Sequence, residues 1–294
     1  MNNQFRSGFV SIIGKPNVGK STLLNKILQE KISIVTPKPQ TTRHQIKGIF
    51  TDDEKQIIFI DTPGFLKPRY ELQTKMLDYI KMSLADSDCL LFIADVTTFP
   101  SDYDRELLSF IEPLKLPKIA IVNKIDLVEQ EIALSLMEQL KKLGFDDVIP
   151  ISALLMENGN EVISRIAKFL PLNPPFYNQD EVSDLPMRFF VQETIREQIF
   201  LLYQQEVPYS STVMVEMYNE LDNKIEIAAN IWIERKSQKP IILGEKGEKI
   251  KQLRQISERE IYRFAGKRIR LDLWVKIKPN WRNKKNSLKE FGYY

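Results

Sequence analysis

The sequence predicts an α/β domain on a mostly parallel six-stranded sheet, with helices on both faces, followed by a smaller α+β domain. Three observations carry this. Short apolar runs alternate with helical spacing up to about residue 170, clustered prolines interrupt the pattern there, and texture and charge change beyond them.

At 294 residues the chain has room for two domains of the usual ~100–200 residues. A hydrophobic share of 43% and a charged share of 28% describe a globular protein. No run approaches the ~20 apolar residues of a membrane span, and the start, Met1 to Arg6, lacks the apolar core of a secretory signal. A single cysteine, Cys89, excludes an intrachain disulfide and fits a reducing cytoplasm. Cys89 opens the apolar run Leu90, Leu91, Phe92, Ile93 and reads as a packed core residue. Neither it nor the one histidine, His44, can build a cysteine/histidine metal site.

In chain order, residues 9–13 form the first expected strand, and the apolar spacing of Leu23, Leu24, Ile27 and Leu28 predicts a helix. Between them stands Gly14-Lys15-Pro16-Asn17-Val18-Gly19-Lys20-Ser21-Thr22. This GxxxxGK[ST] pattern turns backbone N–H groups inward around an anion, and the following helix N-terminus adds partial positive charge. Lys20 is expected to reach the β- and γ-phosphates of a nucleotide, and the Ser21 hydroxyl to bind Mg²⁺. Further strands are expected at 45–50, 56–60, 89–94, 118–122 and 147–151. The short polar turn 51–55 suits an antiparallel hairpin at the sheet edge.

Ligands bind such sheets at the carboxyl ends of the strands, and three strand ends carry matching chemistry. Asp61-Thr62-Pro63-Gly64 supplies an acid for Mg²⁺ and a glycine N–H for the γ-phosphate. Asn123-Lys124-Ile125-Asp126 supplies a carboxylate, Asp126, able to accept from both the ring N–H and the exocyclic amine of guanine, a donor pair that adenine lacks. Asn123 and Lys124 are expected to brace the base pocket and the phosphate loop. At Ser152-Ala153-Leu154 the Ala153 N–H is expected to meet the guanine oxygen. The polar loop from Thr36 to His44, with two prolines, has no apolar period. Asp95 is expected to cap its strand end.

Four motifs in this order resemble the translation-factor-like branch of P-loop GTPases. Another P-loop enzyme, such as a small kinase, would not need the Asn-Lys-Ile-Asp stretch. The resemblance implies GTP and GDP as ligands, with 36–44 as a first switch whose Thr42, or else Thr41, completes Mg²⁺ coordination. It makes Gly64 the start of a second switch, with Lys20, Thr42 and Gly64 as the catalytic set and Ser21, Thr42 and Asp61 as metal ligands. Ras-like relatives carry a glutamine after that glycine to orient water; here stands Phe65, so hydrolysis is expected to be slow unaided. GxPNxGKS also resembles loops that bind K⁺, which adds Asn17 as a ligand to that cation, the alternative being that Asn17 only shapes the turn.

Around Phe169-Leu170-Pro171-Leu172-Asn173-Pro174-Pro175 the helical pattern stops. Domains are therefore expected at 1–172 and 186–294, with a proline linker at 173–185. Beyond it come a helix over 188–205, strands over 212–218 and 225–233, a helix over 251–265 and a last strand over 268–277. Residues 1–179 carry 21 basic and 22 acidic side chains, whereas 235–294 carry 18 and 6, about −1 against +12. A basic block of this kind faces polyanions. Inside it lies Gly244-Glu245-Lys246-Gly247, followed by Lys249 and Lys251 on a helix, a turn that lets a nucleic-acid backbone approach the main chain. The element order around this turn resembles the bacterial, type II KH fold, with these six residues as RNA contacts. Glu245 departs from the base that many relatives carry. The tail, with Trp281, Arg282, Lys284, Lys285, Phe291, Tyr293 and Tyr294, is left open between stacking on RNA and packing on its own domain.

Taken end to end, with Phe189-Phe190-Val191-Gln192-Glu193 and Glu206-Val207-Pro208-Tyr209-Ser210 opening the second domain, the chain resembles the Era family of ribosome-assembly GTPases. That resemblance implies GTP-controlled binding to the 3′ region of 16S ribosomal RNA during maturation of the 30S subunit, by a cytoplasmic monomer partly associated with the inner face of the membrane. An RNA-binding assembly factor in which GTP is structural and turnover incidental is the rival reading. A GTPase acting on tRNA modification lacks its catalytic cysteine motif here.

Overall fold

A computed structural model describes residues 5–156 and 159–294, so the start at Met1–Gln4 read above for a signal lies outside the described residues. The chain divides into two units, Met1–Pro68 with Met76–Asp184, and Arg69–Lys75 with Leu185–Tyr294.

The first unit holds β1 (Arg6–Ile13), α1 (Lys20–Leu28), β2 (Ile46–Thr51), β3 (Lys55–Asp61), the part of α2 (Glu71–Ala85) from Met76 onward, β4 (Cys89–Asp95), α3 (Asp102–Ile111), β5 (Lys118–Asn123), α4 (Gln130–Lys142), β6 (Asp147–Ile151) and α5 (Gly159–Ala167). Its six-stranded sheet runs β2-β3-β1-β4-β5-β6. Every pairing is parallel except β2 with β3, the hairpin expected at the edge. The buried strand runs follow from burial on both faces: all seven residues of β4 are buried. One core cluster packs Phe92, Ala120 and Val122 with Ile80, Leu107, Leu136 and Leu140 from helices α2, α3 and α4. Helix α3 starts at a capping box in which Ser101 and Asp104 satisfy each other's backbone N–H.

The stretch 173–185, expected to be a linker, lies along this unit instead. Gln56, fully buried on β3, accepts from the backbone N–H groups of Phe176 (2.7 Å) and Tyr177 (3.0 Å) and donates to the Tyr177 carbonyl (2.9 Å). The Val182 carbonyl accepts from Ile49 N–H at 2.8 Å, and the Phe176 ring sits 5.1 Å from that of Phe9. Backbone N–H and C=O groups of this irregular segment are thus satisfied by partners on β2 and β3.

The second unit comprises α6 (Met187–Leu202), a turn of helix α7 (Val207–Ser210), β7 (Thr212–Glu220), β8 (Lys224–Ile233), α8 (Gln238–Leu243), α9 (Glu248–Ala265), β9 (Arg268–Ile277) and α10 (Lys285–Glu290). Its sheet runs β7-β8-β9, antiparallel then parallel. Helices α6 and α9 cover one face, where Val191, Ile195, Ile199, Leu253 and Ile261 meet Ile227, Ile231 and Leu271. The tail packs rather than projects: Trp281, Phe291 and Tyr293 are buried, and Trp281 Nε1 donates to the Ser210 carbonyl at 2.9 Å. Trp281 meets Phe291 edge-on and stacks with Tyr293.

Candidate functional site

The loop between β1 and α1 leaves the carboxyl end of β1, a strand inside the sheet. Gly19 has φ +103°, and a Cβ there would lie 2.3 Å from Asn123 Nδ2, so only glycine fits. Lys20 is buried, and its ammonium donates to the carbonyls of Gly14 (3.1 Å) and Lys15 (3.0 Å). Burial pushes its pKa down to about 8, with the charge of Asp61 opposing the shift. The Lys15 side chain, grouped with the nucleotide contacts on its place in the motif, turns away to Asp104 at 2.7 Å; what it offers the loop is its backbone.

Asp61 ends β3 fully buried, and burial raises its carboxyl above the usual range against the opposing charge of Lys20. Its Oδ2 accepts from Ser21 Oγ (2.7 Å) and Ser33 Oγ (2.9 Å), while Oδ1 is buried with no partner. Thr42 Oγ1 lies 3.0 Å from Ser21 Oγ, whereas Thr41 Oγ1 is paired with Thr36 Oγ1 (2.6 Å) and donates to the Lys38 carbonyl (2.7 Å). The structure thus brings Thr42, and not Thr41, beside Ser21 and Asp61. An unspent carboxylate oxygen beside two hydroxyls is a hard-oxygen donor set that suits Mg²⁺. Among the described residues no group of three His, Cys, Asp or Glu surrounds it, so phosphate and water would complete the shell. Ser33 escaped the sequence reading; it is held there by Asn25, whose side chain accepts from Ser33 N–H (2.9 Å) and donates to its carbonyl (2.7 Å). Asn25 stands one helical turn past Ser21, half-buried beside the apolar positions Leu24 and Leu28, and that polar residue was the available signal.

Gly64 follows in a buried irregular loop, and the next N–H, that of Phe65, donates to the Gly14 carbonyl at 3.0 Å. The Phe65 ring is buried in the core, 5.8 Å from that of Phe110. Asn17 is exposed, in the left-handed region at φ 63°, and its amide nitrogen donates to the Pro37 carbonyl at 2.8 Å.

At the next strand end, Asn123 Nδ2 donates to the Val18 carbonyl (2.6 Å) and Oδ1 accepts the Ala153 N–H (2.9 Å). The Ala153 N–H, expected at the guanine oxygen, is held here by Asn123, one strand away. Ser152 is buried, and Leu154 is exposed. Lys124, at φ 67°, reaches Asp95 Oδ2 at 2.6 Å. Burial would raise Asp95, but hydrogen bonds from Lys124 and Thr97 hold its carboxyl below the usual range. Asp95 therefore binds a lysine rather than merely capping a strand. Asp126 lies exposed on a single 3-10 turn. A cleft of about 380 Å³ runs past Pro16, Lys20, Ser21, Thr42, Gly64 and Lys124, with Gly19, Thr22 and Asn17 on its wall.

In the second unit Gly244, Glu245, Lys246 and Gly247 form a tight turn between α8 and α9, with Lys246 forced to φ 47°. Lys246, Lys249 and Lys251 are exposed. Beside the turn, Ile250, Lys251, Arg254, Asp272, Leu273 and Trp274 line a cleft of about 300 Å³ between α9 and the edge strand β9. Trp274 is half exposed, and Arg254 Nε is buried without a partner. Both were missed in the sequence; an outward tryptophan between basic residues on an alternating strand was the signal.

Fold and sites together define a P-loop GTPase domain joined to a KH domain. A family model described as a 50S ribosome-binding GTPase matches residues 9–124, and a KH domain model matches 206–282. The chain is 44% identical over 292 residues to GTPase Era of Geotalea daltonii, covering 99% of this chain and 98% of that one. It is 41% identical over 290 residues to GTPase Era of Halothermothrix orenii, covering 98% and 99%. A crystal structure of Era in complex with MgGDPNP and nucleotides 1506–1542 of 16S ribosomal RNA superimposes with a TM-score of 0.95 at 37% identity, covering 98% of this chain and 99% of that one. A crystal structure of an Aquifex aeolicus Era variant, a tyrosine-to-alanine substitution bound to GDP·AlF4⁻, gives the same TM-score of 0.95, identity of 37% and coverages of 98% and 99%. The chain belongs to the Era family of GTPases.

Proposed function

We propose that this GTPase binds the 3′ region of 16S ribosomal RNA through its KH unit during maturation of the 30S subunit, and that bound GTP governs the RNA contact. The reading is carried by the likeness, over 98% of the chain, to an Era structure that holds MgGDPNP together with nucleotides 1506–1542 of that RNA.

In the nucleotide site, Lys20 meets the β- and γ-phosphates, its ammonium already aimed by two loop carbonyls. Ser21, Thr42 and Asp61 hold Mg²⁺, which when bound neutralises charge on the phosphates. The Gly64 N–H faces the γ-phosphate, and Asp126 reads guanine. Hydrolysis moves a water oxygen onto the γ-phosphorus as the bond to the β–γ bridging oxygen breaks, leaving GDP and phosphate. With Phe65 packed into the core, no side chain at that position orients the water, which supports a slow unaided rate. Asn17, its nitrogen committed to Pro37, keeps its amide oxygen as a ligand for K⁺. Turnover in KCl should exceed that in NaCl at equal ionic strength; equal rates remove the K⁺ role.

For RNA, the 244–247 turn brings main chain to the phosphate backbone, Lys246, Lys249 and Lys251 supply charge, and the cleft beside them takes bases. The test is filter binding of a fragment spanning that 3′ region, with the protein loaded with GDPNP or GDP. Tighter retention with GDPNP is expected; equal retention removes the coupling, and no retention removes the RNA reading. The protein is proposed to act as a cytoplasmic monomer. Among the described residues no helix is long and apolar enough to cross a membrane. A weak inner-membrane contact through the basic unit is tested by sedimentation with anionic vesicles.

A further inference from the structure

The segment joining β4 to α3 takes hold of two lysines of the nucleotide site, each through one buried carboxylate. At its start, Asp95 Oδ2 accepts from Lys124 at 2.6 Å, while Oδ1 is fixed by Thr97 N–H (3.0 Å) and Thr97 Oγ1 (2.6 Å). At its end, Asp104 Oδ2 accepts from Lys15 Nζ at 2.7 Å and from Ser101 N–H (2.8 Å) and Oγ (2.7 Å). Lys15 Nζ also donates to Ser101 Oγ (3.2 Å) and to the Thr98 carbonyl (3.3 Å). Asp104 is wholly buried and its Oδ1 has no partner, so the carboxylate is spent entirely on the side facing Lys15 and Ser101.

We propose that residues 95–104 act as a positioning strap for bound nucleotide, Asp104 setting the phosphate loop through Lys15 and Asp95 setting Lys124. The capping box of α3 needs only Ser101 and Asp104, so the helix itself gives Lys15 no reason to be buried there. A buried ion pair is no cheaper in stability than apolar packing of the same volume, which makes placement the better account of its presence. The placement is transmitted over one residue. Lys15 is anchored through its side chain, and its carbonyl, 3.0 Å from Lys20 Nζ, aims the ammonium that meets phosphate. Freed from Asp104, the loop would hold that carbonyl less firmly, and a displacement of about 1 Å at such a site costs up to roughly a hundredfold.

The inference rests on the nucleotide-site reading, and the experiment separates the two. The full chain is loaded with fluorescent GDP and chased with unlabelled GDP. Asp104→Asn and Lys15→Met are each expected to raise the dissociation rate roughly ten- to a hundredfold. The double variant should be no worse than the poorer single, since both break one contact, and Lys15→Arg should recover most of the loss. Asp95→Asn should also speed release, and add to Lys15→Met because the two contacts share no partner. A pair that only stabilised the fold would lower the melting temperature of the nucleotide-free chain and leave GDP release and the KM for GTP untouched. Release within twofold of the parent in the single variants overturns the strap. Should Asp104→Asn fail to fold, Lys15→Met decides, because it leaves the capping box intact. A parent chain that holds no GDP removes the site reading and the strap together.

Discussion

Asn123→Ala offers the sharpest test of how the nucleotide site is held together, because one buried side chain ties two of its loops. The carboxamide donates to the Val18 carbonyl in the phosphate loop and accepts the Ala153 N–H beyond β6, at 2.6 and 2.9 Å. Val18 and Ala153 are buried, so truncation leaves two backbone groups without partners and out of reach of bulk water. Each such orphan costs ~1–3 kcal/mol, which sums to ~2–6 kcal/mol. A water entering the vacated space recovers part of this, and the expected loss is about 2–4 kcal/mol, a large share of the ~5–15 kcal/mol that keeps a domain folded. Urea unfolding of the nucleotide-free chain measures it. GDP dissociation from the same variant should speed up at least about tenfold, since every ~1.4 kcal/mol withdrawn from the bound state is a factor of ten. Asn123→Asp is a useful companion: it keeps an acceptor for Ala153 but sets carboxylate oxygen against the Val18 carbonyl, and should be no milder than alanine. A stability change under about 0.5 kcal/mol with unaltered GDP release would refute the bracing argument.

Three further outcomes are expected. In the KH unit Gly244→Ala should be the more damaging to folding and Gly247→Asp the more selective for RNA: both sit at positive φ (+73° and +81°), where any side chain is strained, but a Cβ at Gly244 would also meet Lys249 Cγ at 2.7 Å and Lys249 N at 2.9 Å, whereas one at Gly247 meets nothing within 4 Å. Retention of RNA should be lost in Gly247→Asp while GDP binding stays, and normal RNA retention would exclude a backbone clamp at this turn. Trp274→Ala and Arg254→Gln should each weaken RNA binding, by about 1–3 kcal/mol for a lost base stack, without changing GTP turnover; unchanged RNA affinity in both would empty the cleft of its role. Cys89, its thiol pushed up to about 12 mainly by burial, should resist iodoacetamide in the folded chain and react on unfolding. The folded thiol keeps its proton while the unfolded one loses it near 9.0, so this group's contribution to stability falls as pH rises between 9.0 and about 12. Rapid labelling at pH 8 without denaturant would contradict the burial.

What sequence exposes and what it hides in this protein divide by distance along the chain. The phosphate loop, Asp61, Gly64 and Asp126 could be singled out as candidates because each motif occupies a few neighbouring residues at a strand end, where the parallel sheet must gather them. The mostly parallel sheet followed from the same alternation, with the one antiparallel pair betrayed by a turn too short for a crossover, while the strand order was not readable from it. The groups that hold these motifs in place left no such trace. Lys15 and Asp104 lie 89 residues apart, Val18 and Asn123 105, and Ser33 and Asp61 28. No period links such pairs, and singly each reads as an ordinary polar residue. Gln56 shows the same limit on a larger scale. It looks like one polar interruption in a strand, yet it fastens backbone 120 and 121 residues away, which is why prolines that spell a linker in composition become part of a packed unit. The aromatic tail was undecidable for a related reason. Trp281, Leu288 and Phe291 stand at helical spacing but Tyr293 breaks it, and only the partner surface around Ser210 and Trp232 gives all four a common side to face. Local chemistry therefore names the ligand, while the precision with which it is held is written in long-range polar contacts. Variants at Lys15, Asp104, Asn123 and Ser33 should accordingly alter nucleotide lifetime more than nucleotide choice, and Asp126 the reverse.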